Sequence, residues 1–168
     1  MVRFSRRRAV ISAVGSVAYE WVSDILVPDG MDGFVHIDFL LLTQRGLLVL
    51  DLRDTAGVIF AGDSMDEWTV MTRARRYTFL NPQGALLDRI AAIRQIAADT
   101  PVEGCIAFTA RAKFPKGRPK SVVMLDSLRV EYAPVDKASM APAVAKFRPA
   151  WDRVRDSTRP SDLRRYRR

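Results

Sequence analysis

Cysteine and histidine each occur only once in this chain, and the first scarcity limits its chemistry at once. A lone Cys105 excludes an internal disulfide and fits a reducing cytoplasm. Within the apolar stretch VEGCIAFTA it reads as a buried, inert thiol rather than a nucleophile. Long apolar runs are missing too: none approaches the roughly 20 residues that a spanning helix needs, so a membrane-crossing reading is dropped. The N-terminal MVRFSRRRAVISAVGSVAY begins with basic residues, but its middle holds Ser12, Gly15 and Ser16 and no Leu or Phe. That pattern favours a first helix over an export signal. No internal repeat is present, and no low-complexity segment apart from the Arg-rich ends. The turn PDGMDG lacks the ladder of oxygen ligands that a calcium loop requires, and KGRPK lacks the P-loop pattern and its following capped helix.

What remains is one globular domain's worth of ordinary core. A hydrophobic share of 48% beside 27% charged residues, over 168 residues, excludes both a disordered chain and a membrane protein. The net charge of +8 is concentrated at the ends: residues 1–8 carry +4 and residues 146–168 carry +6, which leaves residues 9–145 at −2. Basic ends raise affinity for phosphate backbones without reading sequence, and they also suit a solvated, frayed tail.

Apolar spacing predicts a weak first helix over SRRRAVISAVGSVAYE and a strand at WVSDILVP closed by Pro28. FVHIDFLLLT and GLLVLDLRDT read as the two strongest strands, with shorter ones at GVIFA and EWTVM. NPQGALLDRIAAIRQIAADTP is the clearest helix. Asn81 is its cap, Pro82 stands in its first turn, and Leu86, Leu87, Ile90, Ile93 and Ile96 form its apolar stripe. Strands at VEGCIAFTA and SVVML flank the basic loop RAKFPKGRPK, and MAPAVAKFRPAWDRVRD reads as a helix broken near Pro149. This order argues an α/β (α+β) layer structure that begins with antiparallel strands.

Two carboxylates, Asp38 and Asp51, stand inside the apolar runs of residues 36–54, where a lone charge is costly to bury. If Gln44 and Arg45 form a two-residue hairpin turn, Thr43 faces Gly46 and every cross-strand pair has numbers that sum to 89. Asp38 then faces Asp51, His36 faces Arg53, and period-two alternation puts all four on one face. Facing carboxylates repel, so Arg53, a shared proton or a metal ion belongs between them. A pair of acids suits Mg2+, which takes one or two carboxylates plus water and phosphate oxygens. The alternative is a charged hairpin face with Arg53 as its counter-ion.

HIDFLLLTQRGLLVLDLRD, followed by Gly57, Trp68 and the Asn81-Pro82 pair that opens a long helix, resembles the nuclease-related domain (NERD) family. The likeness runs from about Tyr19 to Leu125. Through an Ile-Asp in one strand and an acid-x-Lys in the next, that family is related to the PD-(D/E)xK nucleases. The resemblance implies a restriction-endonuclease-like core with a mixed central sheet, an N-terminal antiparallel hairpin region and flanking helices. It divides the chain into a basic N-terminal helix (1–18), the nuclease-fold core (19–135), a C-terminal helix (136–156) and a basic, flexible tail (157–168). It makes Asp38 and Asp51 ligands of Mg2+ and puts Arg53 in the lysine position, so that the three form the catalytic group with His36 as a neighbour. Arg53 cannot act as a base, though its guanidinium can hold a phosphate oxygen. Asp51 is one methylene shorter than the family's usual Glu, the first helix carries Arg6 to Arg8 where Gly-Glu is common, and Gln83 follows Pro82 directly.

Two functions follow. One is a metal-dependent nuclease acting on DNA, with the basic termini and Lys113, Lys116, Arg118 and Lys120 guiding the backbone. The other is a module that keeps the fold but not hydrolysis and serves nucleic-acid binding or a structural or regulatory role. No membrane partner is expected.

Overall fold

The computed structural model describes residues 2–136, 138–139 and 141–162. A six-stranded mixed sheet forms its centre. Its first three strands, β1 (Glu20–Pro28), β2 (Phe34–Thr43) and β3 (Gly46–Arg53), are antiparallel neighbours. Beyond β3 come β7 (Val102–Phe108) and β9 (Val122–Met124), each parallel to its neighbour. A smaller sheet is built from β4 (Gly57–Phe60), β5 (Glu67–Met71), β6 (Arg76–Leu80) and β8 (Ala112–Lys113), in the order β6-β5-β4-β8. Strand β6 is not expected from the sequence.

Helix α1 (Val2–Val17) covers one face of the large sheet, burying Val10, Val14 and Val17 against Phe39, Leu41, Leu48 and Leu50. The short α3 (Leu128–Glu131) joins it there. On the other face, α2 (Gln83–Ala97), α4 (Ala141–Ser157) and the small sheet close over Leu40, Leu42, Leu47, Val49 and Ile106. Covered on both faces, β2 and β3 bury successive residues of both parities, which is why their sequences run apolar instead of alternating.

Helix α2 starts one residue later than the sequence predicts, with Pro82 at its cap and Gln83 as its first residue. The Gln83 N–H donates to Asn81 Oδ1 at 3.0 Å, and the Asn81 side-chain amide donates to Met65 O at 2.8 Å, tying the helix start to the β4–β5 turn. Its buried stripe is Leu86, Ile90, Ile93 and Ala97; Leu87, expected inside, is exposed. Gly104 of β7 lets the helix approach, since a Cβ there would stand 2.5 Å from Ile90 Cδ1. Trp68 is fully buried between Phe79 and Phe108.

Two expectations at the C-terminus need correction. Helix α4 runs through Pro149 unbroken. The hydrogen bond that proline removes is outweighed by burial of Val144, Phe147, Ala150, Trp151 and Val154 along one side. The expected flexible tail begins instead with β10 (Arg159–Pro160), an edge strand antiparallel to β1. Residues 163–168 of that tail lie outside the described residues. Among the described residues no helix is long and apolar enough to cross a membrane.

Candidate functional site

The hairpin register agrees with the arithmetic of its turn. Thr43 pairs with Gly46, and the ladder proceeds through Leu42–Leu47, Leu41–Leu48 and Leu40–Val49 to Phe39–Leu50. Gly46, at φ 123°, takes the conformation a side chain would resist. There the β2–β3 pairing stops, one position short of Asp38 and Asp51, whereas β3 stays paired with β7 as far as Arg53–Phe108. The strands separate at the acids. Asp38 fills the gap: its Oδ2 accepts the Leu52 N–H at 2.8 Å, where a strand carbonyl would otherwise serve.

A second break faces the first. Strands β1 and β2 pair from Glu20–Leu42 to Ser23–Phe39 and resume at Ile25–Ile37, so the skipped position sets Asp24 opposite Asp38. Asp24 has φ 50°, uncommon for a residue with a Cβ and best tolerated by Asn and Asp. Below the break Val35 and Ile37 enter the core facing α2; above it Leu40 and Leu42 do, so alternation changes phase there. Asp24, Asp38 and Asp51 therefore form one row across three adjacent strands. All three are buried, at 0%, 6% and 5% exposure.

The basic side chains come from three places. His36, on β2, lies between two of the acids, with Nδ1 3.6 Å from Asp38 Oδ1 and Nε2 3.7 Å from Asp24 Oδ1. The pairing with Arg53 that simple alternation predicts is not formed, because the β2–β3 ladder ends at Phe39–Leu50; on its other side His36 pairs with Leu26 of β1. Arg53 Nη2 donates to Asp51 Oδ2 at 3.1 Å. Arg89, reaching in from α2, donates through Nε to the His36 carbonyl at 2.6 Å and brings Nη1 to 3.8 Å from Asp51 Oδ2.

Asp24, His36 and Asp38 offer ligand atoms that all lie within 4.8 Å of one another. Such a group could hold a divalent cation, and its carboxylate–imidazole–carboxylate chemistry suits Mn2+ or Zn2+ as readily as Mg2+. His36 Nε2 fits that role, being buried with no hydrogen-bond partner, as are Arg53 Nε and Arg89 Nη1. Asp51 stands beside this group, held by Arg53 and facing Arg89. Sequence reasoning thus reached Asp38, Asp51, Arg53 and His36 but missed Asp24 and Arg89. Asp24 carried the same signal as the others, an acid inside an apolar strand, WVSDILVP.

Lys113, Lys116, Arg118 and Lys120 are all exposed, but they are spread along an edge of the small sheet. Lys120 lies at its acidic end, its N–H donating to Asp63 Oδ1 at 3.1 Å. Lys113 belongs to the opposite end, in a cross-strand row with Val58, Met71 and Arg76. Arg73 and Arg75 project from the turn beside it, Arg75 over the Tyr77 ring at 4.7 Å. The strand β4 of this sheet opens at Gly57, soon after β3 closes at Arg53.

On β7, beside Leu50, burial pushes the Cys105 thiol up to about 12, against a lowering contact with Tyr132, and so keeps it protonated. A family model described as nuclease-related domain matches residues 8–109. No curated protein and no solved structure matches the chain.

Proposed function

Since the chain belongs to the nuclease-related domain family, we propose that it is a divalent-cation-dependent nuclease acting on DNA phosphodiesters. The observation that carries this reading is the row of buried acids with His36 inside it. A cation beside these buried carboxylates would offset their mutual repulsion. Asp24, His36 and Asp38 would hold the cation, with Asp51 next to it. When bound, the cation supplies Lewis acidity toward a phosphate oxygen and lowers the pKa of a coordinated water.

The protein's own groups divide the remaining work. Arg53 and Arg89 offer guanidinium donors toward the charge that builds on the phosphoryl oxygens. Asp51 orients both arginines. The basic end of the small sheet supports the nucleic-acid part of the proposal. Lys113 and Arg76, three strand spacings apart, span about 14 Å, and Arg73 and Arg75 extend this patch beyond the turn. Backbone contacts from such a surface position a duplex without reading its sequence. A reducing cytoplasm suits the free Cys105.

One observation favours a second reading, a nucleic-acid-binding module without hydrolysis. Arg53 occupies the place where the resemblance puts lysine, and it is already engaged with Asp51. Incubation of supercoiled plasmid with the protein and Mg2+ or Mn2+, beside Asp38→Ala and Asp51→Ala, decides between them. Nicking that disappears in both variants supports the nuclease. Binding without nicking, with a salt slope that falls by about two when Arg75 and Arg76 become alanine, supports the module. Nicking that survives both substitutions refutes the assignment of the row.

A further inference from the structure

We propose that the C-terminal strap, residues 159–161, is a positioning element that holds Asp24 in its left-handed conformation and so aims its carboxylate at His36. The proposal rests on the reading of Asp24, His36 and Asp38 as the cation-binding group.

Asp24 is strained in the middle of a strand, with φ 50° and a gap in its ladder to β2. Such a conformation persists only where the surroundings over-determine it. The break in the β1–β2 ladder leaves the other edge of β1 to do so, and that edge is covered by the strap alone among the described elements. The Ser161 N–H donates to the Asp24 carbonyl at 2.8 Å, while Pro160 and Arg159 pair with Ile25 and Leu26. The peptide after Asp24 is therefore clamped from outside the sheet. Ser161 is buried at 4% exposure, and the Arg159 guanidinium lies 3.7 Å from the centroid of Phe34, the residue paired with Pro28 at the end of β1. The strap is thus pinned at both ends. Pro160 suits an edge strand, where no neighbour needs its missing N–H. The strap also lies outside residues 8–109, the part that matches the family.

Charge makes the test decisive in sign. Residues 159–168 hold five arginines and one aspartate, a net +4. Deleting them removes positive charge, which by electrostatics alone tightens cation binding. The positioning role requires the reverse. The chain ending at Thr158, and full-length Ser161→Pro, which removes one N–H and no charge, are compared with the full chain. Mn2+ affinity is read by calorimetry, and the ring signals of the sole histidine, His36, by NMR without metal. In both variants the His36 signals are expected to move and Mn2+ affinity to fall about tenfold or more, as when a group that orients a metal ligand is lost. Should the shortened chain fail to fold, Ser161→Pro carries the same two readouts. His36 signals unmoved in the folded variants, or Mn2+ affinity unchanged or tighter than in the full chain, overturn the proposal. If the signals move but the full chain binds no Mn2+, the strap's hold on Asp24 stands and the cation reading fails.

Discussion

Replacing Asp38 with asparagine should stabilise the metal-free protein and weaken the metal-loaded one. The carboxylate oxygens of Asp24 and Asp38 lie within 4.8 Å of each other. At that separation and an effective dielectric of about 20, two full charges repel by roughly 3.5 kcal/mol. The asparagine side chain keeps the shape, and its amide oxygen can still accept the Leu52 N–H that Asp38 now takes at 2.8 Å. That bond becomes neutral, at a loss of about 1 kcal/mol. The net gain without metal is about 2 kcal/mol, or roughly 4–8 °C in Tm for a chain of this size. With Mn2+ at a hundred times Kd, the wild type gains about 2.7 kcal/mol, and a variant short of one charged ligand gains little. The two melting curves therefore exchange order on adding metal. Differential scanning fluorimetry with EDTA and with Mn2+ measures this directly. An Asp38→Asn protein that is less stable than wild type in EDTA, yet shifted equally by Mn2+, would show that the acids form an ion-paired structural cluster.

Three further outcomes follow from the packing and the titrating groups. Gly104→Ala forces Ile90 or Leu86 to shift and should cost about 1–2 kcal/mol in denaturant unfolding; adding Ile90→Val, which removes the clashing Cδ1, should recover most of it. Burial alone raises the Glu20 pKa, but hydrogen bonds from Arg148 at 2.7 Å and Trp151 at 2.8 Å bring it below the ordinary value. A depressed folded pKa adds stability above the unfolded pKa and loses it as pH falls through the folded one. Glu20→Gln should therefore flatten the acid limb of the stability–pH curve by no more than about 1 kcal/mol, because the pair is partly exposed. Cys105, protonated and buried, should react with Ellman's reagent only at the rate of unfolding; rapid labelling of the folded protein would contradict its place in the core.

Asp51 and Arg53 stand where β3 leaves the large sheet, shortly before the small sheet opens at Gly57. Ligand sites favour the carboxyl ends of strands in such sheets, where diverging chains open a crevice. Here the divergence is visible in the ladders: β2 parts from β3 at Leu50, and β3 parts from β7 at Arg53. Asp51 and Arg53 sit on the stretch between those two points. Asp51 and Arg53 thus stand where backbone pairing is given up.

The sequence by itself determined what is local. The tight turn at Gln44-Arg45 fixed the register from Thr43–Gly46 to Phe39–Leu50, because a two-residue hairpin admits one pairing and period two does the rest. The Asn81-Pro82 pair fixed the start of α2 to within one residue, and the stripe of Leu86, Ile90 and Ile93 fixed its inner face. Tertiary structure alone decided what those strands do at their ends. Asp24 joins the site because the β1–β2 ladder skips it, a break that pattern along one strand cannot reveal. Arg89 enters from a helix 53 residues away from the carbonyl it bonds. Strap residues 159–161 close β1 from the far end of the chain, where composition read only a basic tail. Hairpin register is fixed by neighbours in sequence, whereas the row's charge balance depends on contacts between distant segments, which form only when the sheet and its helices pack.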